Sequence, residues 1–167
     1  REEVYPSGFG SRSLIGIICL DAIEVEGTLS LQSGDGRLAW ELAVRSRLQV
    51  IGVDTDARAV DKARALAYKA GVHGVRLKYY KVDSLSKLPF TGHFANLIVS
   101  AGMLDKGRCE GTASELFRVL RPDGGIAYLG QPAELKPPLP KTRLASWLKR
   151  GKDKVESIER DGAWAVV

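Results

Sequence analysis

The chain has 167 residues, 44% of them hydrophobic and 27% charged. That is the size and composition of one globular domain, and it excludes fibrous and disordered classes. No apolar run reaches the ~18 residues of a membrane span, and the net charge of +5 permits an anionic partner without demanding one.

Residues 1–12 read as an irregular lead-in punctuated by Pro6, Gly8 and Gly10. Residues 13–25 are apolar and suit a helix better than a strand, although periodicity leaves both open. Asp21, Glu24 and Glu26 stand where a signal-peptide cleavage site would fall, so the run reads as a packed element. The expected division is a lead-in over residues 1–26 and one domain over residues 27–167. The start at Arg1 makes a piece of a longer protein the expectation. Cys19 and Cys109 are too far apart for a CxxC motif, a zinc ribbon or a dense disulfide framework.

From Gly27 onward, strands and helices alternate. Gly27 to Leu31 is a short strand, and Gln32 to Gly36 is a glycine-rich turn. Leu38, Ala39, Leu42 and Ala43 mark one face of a helix. Gln49 to Asp54 is apolar almost throughout and suits a strand covered on both faces. Asp56 caps the next helix, Val60, Ala63, Ala67 and Ala70 form its inner stripe, and Gly71 ends it. Val75 to Val82 and Phe94 to Ser100 are the third and fourth strands. Thr112 and Glu115 have capping-box spacing, and Ala113, Leu116, Phe117 and Leu120 make the stripe that follows. Pro122 stops that helix, and Ile126 to Leu129 is a fifth strand. Pro132, Pro137, Pro138 and Pro140 make a stiff connector to a short helix at Leu144, Trp147 and Leu148. Val155 to Glu159 and Ala163 to Val167 read as a hairpin joined at Asp161-Gly162. The fold class expected is α/β: a three-layer, doubly wound, mostly parallel sheet of seven strands with an antiparallel edge hairpin.

In such sheets ligands bind beyond the carboxyl ends of the strands, where strand order reverses. After the first strand stands Gly34-Asp35-Gly36-Arg37-Leu38-Ala39, a Gly-x-Gly-x-x-Ala run. Glycine turns tightly and lets a ligand approach the backbone, and the helix that follows offers free N–H groups. A plain strand-to-helix turn reads the same way. Asp54 ends the second strand, followed by Thr55, and can accept hydrogen bonds from both hydroxyls of a ribose; a helix-capping or turn aspartate is the alternative, a role that Asp56 could fill instead. Asp83, followed by Ser84, ends the third strand and can accept from an exocyclic amine such as adenine N6; a turn aspartate is the alternative. Three such features at consecutive strand ends describe a pocket for an adenosine-containing ligand.

Leu29-Ser30-Leu31-Gln32-Ser33-Gly34-Asp35-Gly36 followed by Val53-Asp54 resembles the first two motifs of class I S-adenosylmethionine-dependent methyltransferases. Val82-Asp83-Ser84 with Leu88-Pro89-Phe90, and Arg118-Val119-Leu120-Arg121-Pro122-Asp123-Gly124-Gly125, are similar to later segments of that family. The resemblance implies that Gly34 and Gly36 approach the methionine and ribose of S-adenosylmethionine, that Asp54 meets the ribose hydroxyls and that Asp83 and Ser84 meet the adenine edge. It also implies that Gln32, Ser33 and Thr55 are among the cofactor-binding residues. Ser100 would line the floor beside the methyl group. Two positions depart from the family: Ser30 stands where an acid usually serves the methionine amino group, and Gln32 where glycine is usual. Loss of that charge-assisted bond, worth about 1.5–3 kcal/mol, implies a weaker site. A narrower likeness, carried by Ala63-Arg64, Lys69 to Val75, Leu88-Pro89-Phe90 and Ala95 to Val99, is to methyltransferase-like domains of large bacterial proteins. Those proteins also carry a PQQ-type β-propeller. It implies a propeller neighbour in the same chain and an exported or periplasmic parent.

No catalytic motif follows the fourth strand. Asp105 is a candidate base, with a solvated loop carboxylate as the plainer reading, and His73 and His93 read as surface residues beside glycines. Three functions fit these residues. One is a methyltransferase with an unidentified acceptor. The second is a methyltransferase-like scaffold without turnover. The third is an NAD-binding oxidoreductase, against which no Tyr is followed four residues later by Lys. Lys136, Lys141, Arg143, Lys149, Arg150, Lys152 and Lys154 crowd the segment around Trp147. A solvated helix face with Trp147 in the core explains them better than nucleic-acid binding does.

Overall fold

The computed structural model describes residues 27–149 and 162–166. Its strands are β1 (Thr28–Leu31), β2 (Val50–Asp54), β3 (Leu77–Lys81), β4 (Leu97–Ser100), β5 (Ile126–Pro132) and β6 (Gly162–Val166). Its helices are α1 (Arg37–Arg45), α2 (Ala57–Lys69), α3 (Ala101–Lys106), α4 (Ala113–Val119) and α5 (Lys141–Leu148). The sheet order is β3-β2-β1-β4-β5-β6, and every neighbouring pair is parallel except β5 and β6.

Burial follows the sequence pattern. All four residues of β1 are buried, as a central strand covered on both faces requires. Leu29 and Leu31 join an apolar cluster with Leu116 and Val119 of α4 and Leu144 and Trp147 of α5. Val50, Leu97 and Val99 join a second cluster with Leu38 and Leu42 of α1 and Val60 and Ala63 of α2. Helices thus cover both faces, and the molecule is a three-layer, doubly wound α/β fold.

The strand reading needs adjusting in several places, and β5 runs on through Pro132, which was expected in the connector. Val155 to Glu159 lies outside the described residues, so the expected seven strands are six here. The strand expected at Ala163 is β6, and it pairs along β5. The third strand begins at Leu77, because Gly74 at φ 84° turns the chain and leaves Val75 exposed. The fourth begins at Leu97; Ala95 bridges Leu120 instead of extending it. The segment after β4 is helical: the Ser100 hydroxyl caps α3 by accepting from the Met103 amide, and Gly107 closes it at φ 58°.

Two polar knots fix the loops around the sheet. Glu115 is 9% exposed and accepts from the buried Leu88 amide at 2.6 Å. Arg118 donates to both Glu115 oxygens and to the carbonyls of Leu88 and Phe90. The Leu-Pro-Phe segment and the Arg-Val-Leu-Arg-Pro segment are therefore one structural unit. Gln131, buried in β5, donates to the carbonyls of Leu104 and Pro137 and accepts from the Leu139 amide. It fastens the proline-rich connector against the end of α3.

Candidate functional site

Strand order reverses between β1 and β4, where Leu31 lies in register with Ser100 and with Val53. Asp54 is in register with Lys81 at the end of β3. The carboxyl ends of four adjacent strands therefore stand level, and the loops that leave them share one rim.

The loop from β1 to α1 is held by its own backbone. The Ser33 amide donates to the Val53 carbonyl at 2.9 Å, and the Gly36 amide to the Ser33 carbonyl at 2.8 Å. Asp54 ties the loop to β2: one carboxylate oxygen accepts from the Gly34 amide at 2.8 Å and the other from the Asp56 amide at 2.9 Å. A carboxylate has about four acceptor directions. Two hydrogen bonds leave acceptor capacity at the rim for a vicinal diol. Thr55, beside it, is exposed.

The two loop glycines have different reasons. A Cβ on Gly34, at φ 54°, would meet nothing closer than the Gln32 carbonyl at 4.0 Å. That open side is where a ligand can lie on the backbone. A Cβ on Gly36, at φ 85°, would stand 2.5 Å from the Tyr79 hydroxyl oxygen. Tyr79, fully buried in β3, donates from that hydroxyl to the Gly36 carbonyl at 2.8 Å. Gly36 is thus glycine for Tyr79, and sequence reasoning missed Tyr79 because its loop partner lies 43 residues away.

At the β4 side the rim is occupied. Gln32 holds a positive φ of 50°, and its side chain is buried. Its Oε1 accepts from the Ser100 hydroxyl at 3.1 Å. Its carboxamide lies over Gly102, where a Cβ would be 2.4 Å from Gln32 Cδ. The buried hydroxyls of Ser30 and Ser33 have no hydrogen-bond partner among the described residues. Both lie inside the protein, where an ordered water would satisfy them.

Asp83 and Ser84 follow β3. The Asp83 side chain is 96% exposed and pairs with Lys81. The hydrogen bond and charge of Lys81 hold its carboxyl below the usual carboxylate range. An adenine amine there would share Asp83 with Lys81. Ser84 is exposed, and its hydroxyl accepts from the Ser86 amide at 3.1 Å. Asp105 sits on α3 rather than in a loop. Solvent reaches it, yet desolvation by surrounding protein raises its pKa, and the charge of Asp35 adds to the rise; Arg37 and Lys106 oppose it. The structure thus brings Gln32 and Ser100 into one hydrogen-bonded pair and Gly34 and Asp54, beside Ser33, into another along the same rim. Gly36 supports it from below, and Thr55, Asp83 and Ser84 lie at its solvent-facing end.

Trp147 is buried, with its indole N–H donating to the Gly111 carbonyl at 3.1 Å. Lys136, Lys141, Arg143 and Lys149 are exposed, while Arg150, Lys152 and Lys154 lie outside the described residues. Among the described residues no group of three or more His, Cys, Asp or Glu could hold a metal ion. No helix there is long and apolar enough to cross a membrane.

The rim fits the nucleoside half of an adenosine-bearing cofactor on its own geometry: a carboxylate with spare acceptors beside an open glycine face. A family profile described as a methyltransferase domain matches residues 29–124, more than half of the chain. No curated protein matches the chain in sequence. Among solved structures, a candidate S-adenosyl-L-methionine-dependent methyltransferase of Methanococcus maripaludis superposes with a TM-score of 0.69 at 20% identity. That match covers 94% of this chain and 82% of that one. A SAM-dependent methyltransferase of Aquifex aeolicus gives 0.69 at 19% identity, with coverages of 95% and 87%. The [4+2]-cyclase SpnF gives 0.68 at 19% identity, covering 87% of this chain. The chain spans only 57% of that cyclase's length. At these identities the likeness establishes a shared Rossmann-like methyltransferase fold.

Proposed function

The chain belongs to the methyltransferase domain family, and from that premise we propose that it binds S-adenosylmethionine at the β1–β4 reversal and transfers its methyl group to an acceptor not yet identified. When bound, this cofactor supplies an activated methyl group on a sulfonium. Displacement there depends first on alignment, so the chain's part is chiefly to hold and orient. Asp54 holds the ribose hydroxyls with its spare acceptors, and the open face of Gly34 receives the ribose. Asp83 and Ser84 stand at the adenine edge, and Thr55 flanks the ribose. Ser33 anchors the loop through its amide on Val53, and Ser100 with Gln32 forms the floor beside the reacting carbon. The observation that carries this reading is Asp54 tied to Gly34 beneath an open glycine face.

Thermal unfolding with S-adenosylmethionine and S-adenosylhomocysteine tests it. Ligand at 100 times its dissociation constant should add about 2.7 kcal/mol of stability. Asp54→Ala should abolish that gain. No shift with either ligand, from a protein that unfolds cooperatively, contradicts the reading.

A second reading is favoured by one observation, the buried Gln32 carboxamide bonded to Ser100 and packed over Gly102 at the β4 end of the rim. On it, the domain is a non-catalytic module of a larger propeller-bearing, exported protein. The likeness of Ala63-Arg64, Lys69 to Val75 and Ala95 to Val99 to such embedded domains supports that context. Cofactor binding without methyl transfer to any acceptor in an extract of the source cells would favour this second reading.

A further inference from the structure

We propose that Gln32 is a specificity-determining residue that closes the β4 end of the rim, so that an amino-acid tail on a bound adenosine nucleoside is held less tightly than it would be over glycine at this position. The inference rests on the reading that a nucleoside lies along this rim. Its own support is a set of three positions adapted to one side chain. Gln32 accepts a backbone φ of 50°, a region that glycine adopts at lower cost. Ser100 fixes its Oε1 at 3.1 Å. Gly102 leaves the space that the carboxamide fills, since any Cβ there would stand 2.4 Å from Cδ and from Nε2. Two elements, β4 and α3, are thus shaped around a side chain that leaves the end of β1.

The direction of the rim gives this plug its consequence. A nucleoside held at Asp83 and Asp54 lies over β3 and β2. Its 5′ substituent then runs across Gly34 towards β1 and β4, because β4 is the other neighbour of β1. There it meets Gln32. A short, uncharged substituent can stop before the carboxamide. A longer zwitterionic tail must break the Ser100–Gln32 hydrogen bond and swing the carboxamide off Gly102. A neutral hydrogen bond is worth about 1 kcal/mol, which converts to a roughly five- to tenfold penalty in affinity.

Calorimetric titration with adenosine, 5′-methylthioadenosine and S-adenosylhomocysteine tests this on the wild-type chain, Gln32→Gly and Ser100→Ala. Glycine suits the positive φ, so the first variant keeps the backbone. The second frees the carboxamide while leaving Gln32 in place, and because it also removes the α3 cap it is read only through relative affinities. The expected result is that the affinity of S-adenosylhomocysteine relative to adenosine rises about five- to tenfold in Gln32→Gly and rises also in Ser100→Ala. If adenosine binds but that ratio is unchanged or falls in Gln32→Gly, the proposal is overturned and the nucleoside reading stands. If none of the three compounds binds any of the folded proteins, both are overturned.

Discussion

Gly36 and Gly52 lack a side chain for the same reason: a Cβ on either would fall within 2.6 Å of atoms of Tyr79. The hydroxyl of Tyr79 then holds the Gly36 carbonyl, which also accepts the Trp40 amide that opens α1. One buried phenol therefore sets where the glycine-rich loop ends and the helix begins. Tyr79→Phe keeps the packing and deletes one buried hydrogen bond. We expect a loss of about 0.5–1.5 kcal/mol in urea unfolding. Cofactor affinity should also weaken, because the loop is less well placed; unchanged affinity would confine Tyr79 to stability. The sequence showed the acid at Asp54 and the glycines around it, since their spacing is local. It did not show that Gly36 packs against Tyr79, because only the β2–β3 pairing brings the ring there. Nor did it show that Gln32 turns inward to Ser100, a contact across 68 positions.

Among the elements, the α4 helix and the loop before β4 act together through Glu115 and Arg118. The hydrogen bond from Arg118 lowers the pKa of Glu115; burial raises it, and the Leu88 amide and nearby cations lower it further. A carboxylate whose folded pKa is depressed adds stability above its unfolded value and loses it as pH falls through the folded one. Glu115→Ala should therefore cost about 1–3 kcal/mol at neutral pH, leaving the Leu88 amide without its acceptor. The gap between wild type and Glu115→Gln should narrow as pH drops below the ordinary glutamate range. Urea unfolding across that range checks both, and a gap independent of pH would contradict this account of Glu115. Capping-box spacing had already marked this helix, and the structure confirms the cap at Thr112. The short α3 was less legible: its six residues carry too little periodicity to register, although Ser100 and Gly107 are recognisable start and stop signals.

At the scale of the whole molecule, the strand–helix alternation was enough to expect a doubly wound sheet, because a covered parallel sheet demands near-continuous apolar strands such as Val50 to Val53. The edges were less certain: an edge strand is half exposed, as Leu77–Lys81 is, and its ends drift. The order β3-β2-β1-β4-β5-β6 is what turns scattered loop residues into one rim, and the central claim is that a nucleoside lies along it. Two-dimensional NMR of isotopically labelled protein titrated with S-adenosylhomocysteine tests that claim most directly. The account predicts saturable shifts at the amides of Ser33, Gly34 and Asp56, extending to Ser84 and Ser100 and absent in Asp54→Ala. Saturable shifts confined to residues away from these strand ends, or a spectrum unchanged at millimolar ligand, would contradict it.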